Sequence, residues 1–268
     1  GTYFDKVQRM RKLGGMLSDE LLISKEKVEL SASICKVDLV SELVGEFPEL
    51  QGIMGGYFAN EQGFEKEISL AISEQYLPIG LNSKVPKKPY SIALSLADKI
   101  DTLVGFFGIN QKPTSSKDPF ALRRLALGIV KIIIENKKDF KIRDLISYSS
   151  SLYTDQGFKF GNEFLQKELS DFLMDRLKFY MKEEKIRHDI IQASTNYNNP
   201  DKFVIIFGKA KSLNKIINKQ NGIDLISSYK RASNILDSEL DKFSVELSNT
   251  TDPGIFKTEL EKNLFKKI

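Results

Sequence analysis

Residues 92–107, IALSLADKIDTLVGFF, decide the fold class of this 268-residue chain. Apolar residues recur there every three or four positions, as on one face of an α-helix. They are Ala93, Leu96, Ala97, Ile100, Leu103 and Val104. Asp98 and Asp101 lie three residues apart and share one side of the same predicted helix. The stretch therefore predicts a helix whose apolar face packs against a core.

The same helical spacing continues through most of the chain, whereas the alternation typical of strands is scarce. It predicts further helices over about 31–43, 48–58, 65–76, 119–135, 164–184, 202–219 and 227–240. Asp118 followed by Pro119 is a typical helix start, because the carboxylate caps free amides and the proline ring suits the first turn. No run reaches the roughly 18–20 consecutive apolar residues of a membrane helix. The chain is predicted to be all-α.

One segment favours a division into two regions. Residues 149–163 contain three consecutive serines and two glycines, a composition typical of a linker. The predicted regions are therefore 1–148 and 164–268. The chain begins with Gly1 and has no apolar leader, so it is interpreted as a cytoplasmic fragment or processed chain.

The scarcity of reactive residues excludes several classes of site. His188 and Cys35 are the single histidine and the single cysteine, which excludes disulfide frameworks, Cys/His zinc sites and multi-histidine metal centres. The pair His188-Asp189 is typical of metal-dependent phosphohydrolases, but the further histidines of their first shell are missing. We therefore expect His188 on the surface after a helix, and Cys35 as a buried, inert thiol.

Asp98 and Asp101 leave two interpretations open. The two carboxylates could bind a cation such as magnesium or hold a base. The interpretation favoured here is structural, with ion pairs to Lys99 or to the helix that carries Arg123 and Arg124.

The formal net charge of +4 hides an uneven distribution. Residues 105–145 hold nine Lys/Arg against four acids, and residues 201–236 hold seven against two. Two such blocks are typical of phosphate-facing surfaces. The alternative is a set of solvated helix faces whose counter-charges come from neighbouring segments.

Two shorter segments have features of phosphate-binding patterns. Residues 112–120, KPTSSKDPF, bring hydroxyls, two lysines and a helix start together, all suited to phosphate oxygens. The glycines of 52–56, GIMGG, lack the lysine and strand of a phosphate loop, so close helix packing or a tight turn is the favoured interpretation. Phe47, Leu50 and Met54 are predicted to be core residues.

Five segments together resemble the bacterial glycyl-tRNA synthetase beta subunit family. They are CKVDLV at 35–40, VGEFPELQGIMG at 44–55, ADKIDTL at 97–103, KPT to KDPFALRR at 112–124 and KRASNIL at 230–236. The matches are densest in residues 1–135 and weaker from 164 to 236. The chain departs from the family pattern at Gln75, where histidine is expected, and at Ser115, where glycine is usual.

The resemblance implies the middle of the beta chain, without the family's N-terminal domains and truncated at the C-terminal end. The implied fold is an HD-superfamily-like helical domain followed by a helical region that leads into the anticodon-binding portion. The implied function is tRNA binding without catalysis. The resemblance also implies an alpha2beta2 assembly in which the alpha subunit charges tRNA(Gly) and uses ATP and magnesium to do so. No cofactor or metal is expected in this fragment, and no membrane.

On this hypothesis the two basic blocks form two tRNA footprints. The predicted phosphate contacts are Lys112, Lys117, Arg123 and Arg124 in the first and Lys211, Lys215, Lys219, Lys230 and Arg231 in the second. Glu46, Gln51, Asp98 and Asp101 are predicted to orient neighbouring loops or to meet the acceptor end. Two alternatives remain open: an HD-type metal-dependent phosphohydrolase, and a structural bridge whose basic faces pair with other subunit domains.

Overall fold

A computed structural model of the chain describes residues 1–114, 116–160, 164–196, 202–243 and 252–267. These residues form thirteen α-helices, and no strand occurs among them, so the predicted all-α class is confirmed. The helices are α1 Tyr3–Leu21, α2 Lys25–Ile34, α3 Glu42–Glu46, α4 Ile53–Glu61, α5 Lys66–Glu74, α6 Pro89–Gly108, α7 Leu122–Asn136, α8 Ile142–Asp155, α9 Leu165–Glu183, α10 His188–Thr195, α11 Phe203–Ile217, α12 Gln220–Phe243 and α13 Glu259–Lys267. Short 3-10 turns lie at Val37–Val40, Pro48–Leu50 and Pro253–Ile255. None of the described helices combines the length and apolarity that crossing a bilayer requires.

The chain divides into two compact units, Gly1–Asn214 and Lys215–Ile268. The first unit contains α1 to α10 and most of α11, and the second contains α12 and α13. Helix α8 occupies the first half of the predicted linker 149–163, and residues 161–163 lie outside the described part. The first compact unit thus continues past the predicted boundary. The relation to the HD superfamily stays a prediction.

Helix α6 is the centre of the first unit. It packs against α1, α5, α7 and α8, and fifteen of its 20 residues are buried. The sequence predicts one buried face for this helix, but it is buried on nearly every side. Three charged residues, Asp98, Lys99 and Asp101, are therefore buried with the apolar ones.

The predicted helix over 31–43 was wrong, because α2 ends at Ile34. A 3-10 turn follows, and then Ser41 adopts an extended backbone and caps α3 by accepting a hydrogen bond from the Val44 amide. A serine that bonds to the backbone in this way competes with helix continuation. Local hydrogen bonding therefore overrides the apolar spacing of this segment.

The predicted helix over 48–58 is interrupted at Gly52, where φ is +82°. The amides of Gly52 and Gly55 both donate to the buried Asp38 carboxylate, at 2.6 and 3.3 Å. The chain resumes as α4, whose Gly56 lies against α5. The interpretation of these glycines as a tight turn and a close packing contact is confirmed.

Gly56 allows the first of several tests. A Cβ atom at this position would lie 2.7 Å from the carbonyl oxygen of Ser69 and 2.7 Å from Cβ of Ser73. Replacement of Gly56 by alanine is expected to lower the free energy of unfolding by about 1–3 kcal/mol, because α4 and α5 must separate. Urea denaturation measures this loss. The control is Gly45→Ala, where an added Cβ has no neighbour within 4 Å. An equal response of the two variants would contradict the close contact.

Two predictions of buried side chains need correction. Phe47 is 48% exposed, so its assignment to the core was wrong, while Leu50 and Met54 are half-buried. In the predicted helix over 202–219, the helical spacing of Ile206, Ala210, Leu213 and Ile217 predicts one apolar stripe that faces the core. In α11 the first two are buried, but Leu213 is 39% exposed. The periodicity identified the helices, but it did not show which apolar faces are covered.

Candidate nucleic-acid interface

The first basic segment lies where the chain enters α7. The Asp118 carboxylate accepts hydrogen bonds from the backbone amides of Leu122, at 2.8 Å, and Arg123, at 3.0 Å. The predicted capping role of Asp118 is confirmed, although the helix begins at Leu122 and not directly after Pro119. Because Asp118 occupies these amides, an incoming phosphate has to be met by side chains.

The four predicted cations of this segment differ in their surroundings. Lys112 is half-buried and forms an ion pair with Glu168 of α9. The Arg123 guanidinium donates a hydrogen bond to the carbonyl oxygen of Thr114. Lys117 and Arg124 are exposed. Of these four cations, Lys117 and Arg124 therefore face solvent without a described acidic partner. Lys112 and Arg123 instead hold the segment in place through Glu168 and Thr114. Ser115 lies outside the described residues.

Another member of this basic block does not belong to the surface. Lys131 in α7 is buried, and its ammonium group donates to the carbonyl oxygens of Leu81 and Ser83. It holds the loop before α6 in place. In contrast, Lys137, Lys138 and Lys141 between α7 and α8 are exposed. The count of basic residues in the sequence therefore overstates the charge that a ligand meets.

The second predicted footprint is distributed over the two compact units. Lys211 belongs to the first unit and its ammonium nitrogen lies 5.7 Å from the Phe207 ring centroid. The remaining four predicted contacts belong to the second unit: Lys215, Lys219, Lys230 and Arg231. All five side chains are exposed.

Asp98 and Asp101 are not surface residues; they form a buried ionic cluster with α1 and the segment after α2. Asp98 Oδ1 lies 3.2 Å from Lys6 Nζ and 3.1 Å from Lys36 Nζ. Arg9 is bidentate to Asp101, with Nε donating to Oδ1 at 2.6 Å and Nη2 to Oδ2 at 3.1 Å. The predicted partners, Lys99 and the helix of Arg123 and Arg124, were wrong. No local pattern marks the true partners, which lie about 60–90 positions away in the sequence.

The cations of this cluster determine the ionisation of Asp98. Burial acts to raise the pKa of Asp98, but the Lys36 and Lys6 ammonium groups outweigh it and hold that pKa well below its usual range. The carboxylate therefore stays ionised and bound to cations in the fold. Among the described residues, no three His, Cys, Asp or Glu side chains lie together as a metal site requires.

The Lys99 ammonium group lies at the turn that follows α5. Its ammonium group donates to the Leu77 carbonyl at 2.8 Å, to the Tyr76 carbonyl at 3.3 Å and to the Ser95 hydroxyl at 2.7 Å. Burial lowers the pKa of Lys99 to about 7. Lys99 therefore closes the turn between α5 and α6, and its charge adds to the attraction that lowers the pKa of Asp98.

The residues beside this cluster have structural contacts. The Gln75 side-chain amide donates to the carbonyls of Cys35, at 2.7 Å, and Ile72, at 2.9 Å, so the glutamine that stands where we expected histidine is held by two backbone groups. Cys35 is fully buried, and burial raises the pKa of its thiol to about 12, which confirms the inert assignment. His188 is exposed at the start of α10, as expected.

The remaining two predicted contact residues differ from each other. Gln51 donates from Nε2 to the Tyr76 hydroxyl, which also accepts from Lys36 at 2.7 Å, so Gln51 is joined to the edge of the ionic cluster. Glu46 is exposed at the end of α3. The structure therefore does not bring Glu46, Gln51, Asp98 and Asp101 together as one exposed site.

Comparisons with known proteins agree with the motifs. The family model described as "Glycyl-tRNA synthetase beta subunit" matches residues 1–196. Proteins named "Glycine--tRNA ligase beta subunit" are similar to the whole or most of the chain. The Dinoroseobacter shibae protein is 35% identical, and the match covers 100% of this chain and 41% of that protein. The Rickettsia canadensis protein is 39% identical, and the match covers 99% of this chain and 37% of that protein. The Phenylobacterium zucineum protein is 39% identical, and the match covers 89% of this chain and 33% of that protein. The chain spans between one third and about two fifths of the length of these relatives.

Proposed function

The chain belongs to the glycyl-tRNA synthetase beta subunit family, and on that basis we propose that it is a tRNA-binding segment without catalytic residues of its own. It binds tRNA(Gly) in the cytoplasm while an alpha subunit carries out the ATP-dependent charging with glycine. ATP and magnesium belong to that alpha subunit. The word "beta" in the names of the relatives supports a partner subunit, and an alpha2beta2 assembly is part of the proposal.

The observation that carries the tRNA proposal is the pair of exposed cations beside the start of α7. Lys117 and Arg124 face solvent, and the two other predicted cations hold their segment through Glu168 and Thr114. A basic side chain on an ordered turn loses less conformational freedom when it meets a phosphate. These two side chains supply the first footprint.

The second footprint is supported by exposure and charge. Its members are Lys211 in the first unit and, in the second unit, Lys215, Lys219, Lys230 and Arg231, all of them exposed. Lysines on exposed helix faces bind the phosphate backbone as point charges without reading bases. We therefore propose that both footprints position tRNA rather than select its sequence.

Replacement of Lys117 and Arg124 together by alanine tests the first footprint. In the purified alpha–beta complex, the double variant is expected to bind tRNA(Gly) about tenfold more weakly at low salt. Its plot of log affinity against log salt is expected to become shallower by about 1 for each phosphate that the variant no longer neutralises. Fluorescence anisotropy of labelled tRNA over a salt series measures both quantities.

The matched control replaces two exposed lysines outside the footprints, Lys12 in α1 and Lys182 in α9. It removes the same charge but is expected to keep the salt dependence of the wild type. If both variants lose the same tRNA affinity, the loss comes from the net charge of the protein and the footprint proposal is contradicted. Unchanged tRNA affinity combined with impaired assembly would favour the structural bridge.

A further inference from the structure

The loop of residues 81–88, which precedes α6, lies against the C-terminal half of α7, although 48 to 50 positions separate the contacting residues in the sequence. The buried Lys131 of α7 donates from Nζ to the carbonyl oxygen of Ser83 at 2.8 Å. Further along the helix, Asn136 Nδ2 donates to the carbonyl oxygen of Pro86 at 3.1 Å. These contacts hold the loop and the end of α7 together as one surface.

Three exposed lysines lie beside these contacts. Lys84 follows Ser83 in the loop, and Lys137 and Lys138 follow Asn136 at the end of α7. None of the three lysines has an acidic partner among the residues that the structure describes. We call Lys84, Lys137 and Lys138 the α7 end patch. Neither proposed footprint includes these residues.

The acids that are nearest to the patch in the chain are engaged by other groups. The Glu135 carboxylate pairs with Lys87 and with Lys131, at 3.6 Å in both cases. Asp139 Oδ1 accepts a hydrogen bond from a backbone amide in the first turn of α11, at 2.8 Å. The loop side adds no negative charge, because residues 75–97 contain no acid. The α7 end patch therefore presents net positive charge to solvent.

The chemistry of the patch indicates which form of RNA it fits. Residues 81–88 and 135–141 contain a single aromatic residue, Phe140, and it is 2% exposed. Single-stranded RNA is held largely by bases that stack on exposed aromatic side chains, whereas base-paired RNA is held through its phosphates and 2′-hydroxyls. A surface that offers ammonium groups without a stacking platform is therefore suited to a base-paired stem.

Helix α7 joins the patch to the first proposed footprint. Lys117 and Arg124 lie at the start of this helix, and the patch lies at its other end. The helix has 15 residues, so its two ends are about 20 Å apart. A helix keeps two groups of cations at a fixed separation, as a base-paired stem does with its phosphates. The two groups therefore meet different phosphates of one rigid ligand.

We propose that the α7 end patch binds the phosphate backbone of a base-paired RNA stem, at phosphates that neither proposed footprint reaches. The proposal rests on the tRNA-binding part of the proposed function and adds to it a third surface and the form of RNA that this surface takes. Phosphates carry no sequence information, so the patch positions the stem without reading its bases.

Two helices of the first unit end with the same backbone geometry, which provides a matched control. Lys137 after α7 has a φ of +53°, and Lys185 after α9 has a φ of +59°. In both cases the amide of the next residue donates to a carbonyl oxygen of the preceding helix at 3.1 Å. Glycine is favoured at positive φ, so Lys137→Gly and Lys185→Gly are both expected to leave the fold at least as stable as in the wild type. A circular-dichroism melt checks this.

The two glycine variants lose the same charge at different places. In the purified alpha–beta complex, Lys137→Gly is expected to weaken tRNA(Gly) binding about threefold at low salt and to make the plot of log affinity against log salt shallower by about 1. Lys185, which directly follows Glu183 and Glu184, lies outside the patch, and Lys185→Gly is expected to bind like the wild type. Fluorescence anisotropy over a salt series measures both quantities.

Replacement of the whole patch tests the form of RNA. The triple variant Lys84→Ala/Lys137→Gly/Lys138→Ala is expected to bind tRNA(Gly) and a labelled RNA hairpin about tenfold more weakly at low salt. Its affinity for an unpaired RNA strand of the same length is expected to fall by less than about twofold. The control triple variant changes three exposed lysines outside the patch, Lys12, Lys182 and Lys185, and is expected to keep all three affinities.

The outcomes distinguish this proposal from the proposed function. Wild-type affinity of the patch variant for tRNA(Gly) overturns the patch, and Lys117→Ala/Arg124→Ala still tests the first footprint. Equal losses in the patch variant and its control overturn the patch as an effect of net charge. A loss confined to the unpaired strand overturns the assignment to a stem. Weaker subunit association with unchanged tRNA affinity overturns the patch in favour of an acidic protein surface. A wild-type complex that binds no tRNA overturns the proposed function itself.

Discussion

Replacement of Arg9 by methionine is expected to lower the free energy of unfolding by about 3–5 kcal/mol, the largest effect of any single substitution considered for this chain. Arg9 is 5% exposed and makes two hydrogen bonds to the Asp101 carboxylate. Its guanidinium carbon also lies 3.7 Å from the Tyr153 ring centroid. Methionine retains the apolar stem but leaves Asp101 as a buried carboxylate without its main cation. Urea denaturation at pH 7 measures the loss.

Two further variants show whether the loss comes from the ion pair. Arg11, two positions along α1, pairs with Glu29 at 3.7 Å and is 39% exposed, so Arg11→Met is expected to cost no more than about 1 kcal/mol. Adding Asp101→Asn to Arg9→Met removes the unpaired charge and is expected to restore part of the stability. If the double variant is less stable than Arg9→Met by the full effect of Asp101→Asn alone, the two residues are not coupled.

The second large effect is expected at Lys99. Replacement of Lys99 by methionine removes the donor that the Gln75 and Tyr76 carbonyls share, and each buried acceptor left unpaired costs about 1–3 kcal/mol. The aliphatic part of Lys99 also fills the space above Gly128, where an added Cβ would lie 2.9 Å from Lys99 Cε. We expect a loss of about 3 kcal/mol at pH 9.

The pH dependence of this loss follows from the lowered pKa. Between about 7, the pKa of Lys99 in the fold, and its ordinary value of 10.5, the unfolded chain binds a proton that the folded chain does not. Stability from this group therefore rises with pH through that window and is lost as the pH falls to about 7. The difference between the wild type and Lys99→Met should shrink from pH 9 to pH 6, with exposed Lys138→Met as control. A difference that grows toward acid pH would contradict the lowered pKa.

Much of the helical framework was predictable because helix formation leaves a local pattern. The apolar spacing of α6 and α9 located both helices to within a few residues, and Asp118 correctly predicted the capping of α7. The predictions failed where a polar side chain bonds to the backbone, as at Ser41, or where a glycine takes positive φ, as at Gly52. Apolar spacing carries no information about either.

The candidate site was predictable only as an inventory of charges. Spacing and composition identified Lys117 and Arg124 among the basic residues, but the same evidence could not distinguish them from Lys131, which is buried. Whether a lysine faces solvent or donates to carbonyls of a distant loop depends on which helices meet. Leu81 lies 50 positions from Lys131, beyond the reach of any local pattern.

By itself the sequence determined the all-α class, the scarcity of histidine and cysteine and the family to which the chain belongs, because periodicity, composition and ordered motifs are properties of the chain before it folds. Only the tertiary structure decided that Asp98 and Asp101 are bound by Lys6, Lys36 and Arg9, and that α4 turns its small residues inward. The reason is that burial of a charge or of an apolar side chain is settled by the packing of helices far apart in the sequence. That packing leaves Lys117 and Arg124 exposed on the surface.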